Sequence, residues 1–129
     1  MRVAVGSDHR GHGVRSHIVE SIGRRGYEIV DVGAETNGPV DYPDIAAVVA
    51  GKVSRGEADR GILVGGTGLG MCIAANKFSG VRAAPCHDEL TAEMGRRHND
   101  LNVLCLSADL LSAAMIQRIV EVWLKTPFD

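Results

Sequence analysis

The chain has 129 residues, of which 45% are hydrophobic and 23% charged, with a formal net charge of −2. This size and composition suit one globular domain with a buried core. The near-neutral charge argues against a polybasic nucleic-acid surface, and the 4% aromatic content argues against a base-stacking one. No apolar run approaches the roughly 20 residues that cross a bilayer.

Met1–Gly6 is too short an apolar run to read as a signal peptide, and Asp8 soon breaks it. The three cysteines form no CxxC pair, which fits a reducing cytoplasm and not a disulfide scaffold.

In chain order, Arg2–Val5 reads as a strand buried on both faces, followed by the polar turn Gly6-Ser7-Asp8-His9-Arg10-Gly11. Val14, Ile18 and Ile22 recur at helical spacing, with Gly26 at the C-cap. Tyr27–Val32 is the second strand, and a loop carrying Asn37-Gly38-Pro39 follows. Asp41-Tyr42-Pro43-Asp44 opens a second helix, with Pro43 in its first turn and Ile45, Val48, Val49 and Val53 as its apolar stripe.

Gly61–Val64 is the third strand. It enters Gly65-Gly66-Thr67-Gly68-Leu69-Gly70, four glycines in six residues, and then a helix through about Lys77. Val81–Cys86 predicts the fourth strand, Asp88 caps a helix to about Arg97, and Asn102–Leu106 is the fifth strand. Leu110, Leu111, Ala114, Met115, Ile119, Val122 and Trp123 mark the last helix. Cys86, Cys105, Met71 and Trp123 read as packing residues, and Arg96-Arg97 as a solvated helix end.

Strands and helices alternate, so the expected class is α/β with a parallel sheet covered on both faces. With strand order 2-1-3-4-5, the first and third strands are neighbours at the switch point, and ligands bind beyond the carboxyl ends there. The turn with Asp8 and His9 and the glycine loop would converge on one crevice. Glycines at a strand-to-helix turn let backbone N–H groups approach an anion closely, although the same turn also serves as a plain βα connection. The loop fits neither the G-x-G-x-x-G fingerprint nor a P-loop.

Six blocks occur in order: Gly6-Ser7-Asp8-His9, Asp41-Tyr42-Pro43, Gly66-Thr67-Gly68-Leu69-Gly70, Ile73-Ala74-Ala75-Asn76-Lys77, Gly80-Val81-Arg82-Ala83-Ala84 and His98-Asn99-Asp100-Leu101-Asn102-Val103. Together they resemble the type B ribose-5-phosphate isomerase family, which includes the galactose-6-phosphate isomerase subunits. The resemblance implies a Rossmann-like αβα sandwich over residues 1–129 as a single domain. It also implies a homodimer, often paired into a tetramer, with active sites shared across the interface. The implied reaction is aldose–ketose isomerisation of a small sugar or sugar phosphate, without metal or organic cofactor, by ring opening and a cis-enediolate.

By the same resemblance, His98 helps open the ring, and Asp8 and His9 contact the sugar and its phosphate. Tyr42 lines the pocket and Asn99 hydrogen-bonds the substrate. The backbone N–H groups of Gly66, Gly68 and Gly70 and their neighbours form the anion hole, with Thr67 as a hydroxyl donor.

The chain departs from the family pattern at named places. Relatives put a base cysteine where Gly65 stands, or a glutamate where Met71 stands, which leaves Cys72, near a helix N-terminus, as the candidate base. Relatives put a phosphate-binding arginine where Asp109 stands, and a carboxylate there suits sugar hydroxyls better. The sequence ends at Phe128-Asp129 without the family's later Gly-Gly-Arg-His block. Three functions fit this pattern: an isomerase with diverged base and phosphate positions, a non-catalytic or partner subunit of the same fold, and a sugar- or anion-binding module.

Overall fold

A computed structural model describes residues 1–33 and 41–129. The loop expected to carry Asn37-Gly38-Pro39 lies outside the described residues. Among those described, the order is β1 (Arg2–Ser7), a 3₁₀ turn (His9–Gly11), α1 (His12–Gly23), β2 (Glu28–Val32), α2 (Tyr42–Ser54), β3 (Arg60–Gly65), α3 (Leu69–Ala75), β4 (Ala83–Pro85), α4 (Glu89–Asn99), β5 (Val103–Ser107) and α5 (Ala113–Lys125).

Local chemistry sets these bounds. Gly26 takes a positive φ of 91° just past α1, and Pro43 lies in the first turn of α2. The Asp88 carboxylate accepts the Thr91 N–H at 2.7 Å, and the Ser112 hydroxyl accepts the Met115 N–H at 3.2 Å. The Ser112 cap starts α5 after Leu110 and Leu111, so these two precede the helix and Leu110 is exposed.

All strand pairs are parallel. The order is β2-β1-β3-β5-β4, which corrects the expected 2-1-3-4-5. The reason lies in composition. Val103-Leu104-Cys105-Leu106 is a continuous apolar run and is wholly buried, as a central strand must be. The shorter β4 follows Arg82, ends in Pro85, which has no N–H to donate, and is only half-buried. Those features place it at an edge.

Strand residues alternate between two cores. Val3, Val5, Ile62, Val64, Leu104 and Leu106 pack with Ile18 and Ile22 of α1 and Ile116, Ile119 and Trp123 of α5. Ala4, Leu63, Val103 and Cys105 face Ile45 and Val49 of α2 and Met71 and Ala75 of α3. Each such Leu or Ile contributes about 1.5–3 kcal/mol by burial, so the sheet's two faces dominate stability. Val48, expected in the α2 stripe, is 44% exposed because Ala46 and Ala50 complete the buried face instead. No helix among the described residues is long and apolar enough to cross a membrane.

Candidate active site

The chain turns back at the β1–β3 boundary, and there the Asp8 N–H donates to the Val64 carbonyl at 3.2 Å. On the other side of β3, the Ala108 and Asp109 N–H groups donate to the carbonyls of Gly65 (2.8 Å) and Gly66 (3.1 Å). The corrected strand order is what brings the β5 loop here. Three loops therefore enclose one crevice of about 350 Å³, lined by Asp8, Arg10, Tyr42, Met71, Asp109 and the loop Gly65–Gly70 apart from Leu69.

The loop's shape follows from its glycines and one serine. Gly68 caps α3 with a φ of 82°, a left-handed conformation that Cβ-bearing residues rarely adopt. A Cβ on Gly70 would lie 2.7 Å from the Tyr42 ring, so this glycine admits the tyrosine to the crevice wall. The Ser107 hydroxyl donates to the Gly66 carbonyl at 2.6 Å and accepts the Leu110 N–H at 3.0 Å, tying the loop to β5. Ser107 was not singled out from the sequence; its place at the carboxyl end of β5 was the available signal.

Asp8 is half-buried and held in place. Its Oδ1 accepts the N–H groups of Arg10 (3.0 Å) and Gly11 (3.1 Å), capping the 3₁₀ turn. Its Oδ2 has no hydrogen-bond partner among the described residues. A Cβ built on Gly65 would lie 3.4 Å from this oxygen. The space that a side chain at position 65 would enter is therefore next to a free carboxylate oxygen. The Thr67 hydroxyl oxygen accepts the Leu69 N–H at 3.2 Å, which leaves its own proton to donate. Asp109 forms an ion pair with Arg10 at 2.6 Å.

Several expected site residues lie elsewhere. Cys72 does not line the crevice. Its thiol donates to the Ala83 carbonyl at 3.4 Å and packs against the second core beside Cys105. Donation from the Cys105 thiol holds the Cys72 thiol down at about 7, against its partial burial, while Cys105 is raised in turn. The acidity suits a base, but the sulfur points toward β4 and β5. Met71, expected as a packing residue, takes the inward position of α3 at 2% exposure while its side chain also borders the crevice beside Gly65. His9 is exposed and is not part of the crevice wall in this chain.

His98 and Asn99 end α4, both exposed, immediately before β5. They sit at the amino end of the sheet, whereas the glycine loop sits at its carboxyl end. The five residues of β5 separate the two ends by roughly 17 Å at about 3.3 Å per residue. Other residues of the recognised blocks are scaffold. The Asn76 side chain donates to the Ala83 carbonyl and accepts the Ala83 N–H, both at 2.8 Å. The Asn102 side chain accepts the Arg82 N–H at 2.7 Å and donates to the Gly80 carbonyl at 3.0 Å.

The chain as a whole is similar to known proteins. The family model described as Ribose/Galactose Isomerase matches residues 3–129. The ribose-5-phosphate isomerase B of Escherichia coli is 40% identical over 128 residues, covering 99% of this chain and 86% of that protein. A solved ribose-5-phosphate isomerase B of Clostridium thermocellum superposes with a TM-score of 0.97 at 45% identity, covering 99% of this chain and 86% of that one. A Mycoplasma genitalium ribose-5-phosphate isomerase B, solved with bound ribulose-5-phosphate, gives a TM-score of 0.94 at 40% identity, covering 98% and 85%.

Proposed function

Because this chain belongs to the ribose/galactose isomerase family, we propose that it interconverts an aldose and a ketose, acting on a small sugar phosphate. The observation that carries this reading is the convergence of a fixed carboxylate, Asp8, on a glycine loop with backbone donors in a crevice of about 350 Å³, large enough for such a ligand.

The chemistry assigns each group a task. Once the ring is open, Asp8 Oδ2 takes the proton from C2. The electron pair moves into a C1–C2 double bond, and charge collects on the carbonyl oxygen. Backbone N–H groups of the Gly66–Gly70 loop and the Thr67 hydroxyl stabilise that oxygen as an enediolate. Asp8 then returns its proton to C1 while the remaining hydroxyl proton moves from O2 to O1, so atoms and charge balance. Asp8 takes the base role first expected of Cys72, because Asp8 reaches the crevice and Cys72 does not. Tyr42 orients the open-chain sugar along the wall.

Ring opening needs an acid/base group, and His98 is the expected one. In this reading a second copy of the chain supplies His98 and Asn99, since these residues lie at the far end of their own sheet. The exposed apolar side chains of Tyr42, Val48, Leu69 and Ile73 support a partner over α2 and α3, since such side chains gain by being covered. A homodimer with two shared crevices follows.

The test is proton exchange. Incubation of the pure protein with ribose 5-phosphate and other phosphorylated tetroses, pentoses and hexoses in deuterated water should place deuterium at C1 or C2 of one of them. Absence of exchange in all of them overturns the reading. Exchange only after addition of a related chain would assign this chain the role of a partner subunit, a reading favoured by Gly65 and Met71 at the usual base positions.

A further inference from the structure

Arg10 and Asp109 approach each other from different loops, 99 residues apart in sequence, both line the crevice, and they form an ion pair at 2.6 Å. A Cβ on Gly66 would lie 3.1 Å from Asp109 Oδ2 and 3.2 Å from Arg10 Nε, so the pair lies directly over the glycine loop. Among the described residues lining the crevice, Arg10 is the one basic side chain. Its guanidinium is the group there with the fork geometry that matches a phosphate.

We propose that the Arg10–Asp109 pair is an exchangeable latch: Arg10 recognises the phosphate of the substrate, and Asp109 is the built-in competitor that the phosphate must displace. The proposal rests on the isomerase reading for the identity of the ligand. One observation and the charges involved support exchange over a fixed structural role. The side chains are 56% and 40% exposed, so the pair is solvated and weakly held. A phosphate dianion offers Arg10 more charge than one carboxylate does. The displaced Asp109 stays next to the crevice, where it can accept sugar hydroxyls. With Asp109 in place, Arg10 is neutralised, so singly charged anions gain little on entering. The latch thereby selects for a dianionic phosphate monoester and against unphosphorylated sugars.

The experiment measures binding of inorganic phosphate by calorimetry at fixed ionic strength, with no turnover involved. Asp109→Asn removes the competitor and should tighten phosphate binding at least about fivefold. Arg10→Gln should weaken it at least about tenfold, and the double variant should match Arg10→Gln alone. Equal affinity in Asp109→Asn and the parent chain, or unchanged affinity in Arg10→Gln, overturns the latch. Circular dichroism of each variant verifies folding, and Arg10→Lys, with its charge kept, should restore part of the binding.

The outcomes separate from those of the function. A chain that shows this phosphate pattern without deuterium exchange on any sugar phosphate keeps the latch and loses the isomerase. A chain that isomerises sugar phosphates with unchanged KM in Arg10→Gln keeps the isomerase and loses the latch.

Discussion

The two ends of the sheet use arginine in opposite ways. At the carboxyl end, Arg10 is more than half exposed and meets a carboxylate across a ligand-sized crevice. At the amino end, Arg60 and Arg96 are buried and bonded mainly to backbone carbonyls. Arg60 donates to the Trp123 carbonyl at 2.6 Å and lies over the Trp123 ring at 5.3 Å. Arg96 donates to the carbonyls of Thr126 (3.0 Å) and Leu101 (2.7 Å) and to Asp100 (2.9 Å). Burial lowers the Arg60 pKa to about 10, and the neighbouring Arg96 charge adds to that. These two close off the last carbonyls of α5 and the turn before β5, a structural task. Burial and partner type, not residue type, separate an exchangeable cation from a fixed one.

The comparison breaks most sharply at Asp8. Asp8→Asn retains a side-chain oxygen to cap the 3₁₀ turn but removes the base. It should lower kcat for the sugar phosphate by roughly 10²–10⁴-fold with a change in Tm of only a few degrees. Steady-state kinetics and a thermal melt check both halves. A variant with near-normal kcat would return the base to another group.

At the opposite end the expectation inverts. Arg96→Ala removes the donor to the Thr126 carbonyl, leaves the Leu101 carbonyl to the Trp123 indole N–H alone and empties a buried site, and should destabilise the fold by about 3 kcal/mol, read from urea denaturation. Arg10→Ala should change stability by less than about 0.5 kcal/mol in the same assay. Equal losses from the two variants would erase the distinction between the ends.

The alternation of apolar runs and turn residues made the α/β class and the main elements legible. The position of β4 was readable in principle, since Pro85 and Arg82 disfavour an interior strand, but the common doubly wound order 2-1-3-4-5 was taken in its place. Asp109 was expected at the substrate by resemblance alone, and the sequential order gave no physical route for it there, because only with β5 beside β3 does its loop abut Gly66. The Arg10–Asp109 pair was then unreadable, since it depends on two loops meeting through the sheet. Arg96 read as solvated because the docking of the α5 C-terminus, 30 residues on, is what buries it. The direction of Cys72 depended on where α3 starts. With the helix opening at Leu69, Met71 and Ala75 face inward one turn apart, and Cys72 turns to Ala83.

Cys72 offers the smallest effect and separates acidity from function. It lies between the two ends, on the α3 side of the sheet. Its lowered pKa predicts iodoacetamide labelling that rises with pH through a midpoint near 7. Cys86, pushed up to about 11 chiefly by burial, should stay unlabelled over that range. The sign for stability follows from the same shift. The folded pKa lies below the ordinary 9.0, so the contribution of this thiol is full above about 9 and is lost as pH falls through 7. Yet Cys72→Ser should leave kcat within about threefold, because the sulfur faces Ala83 and not the crevice, and serine can still donate to that carbonyl. A fall of a hundredfold or more would mean that α3 rotates on substrate binding and brings the thiolate to C2. In that case Asp8→Asn and Cys72→Ser would have to be compared in one kinetic series to decide which group removes the proton.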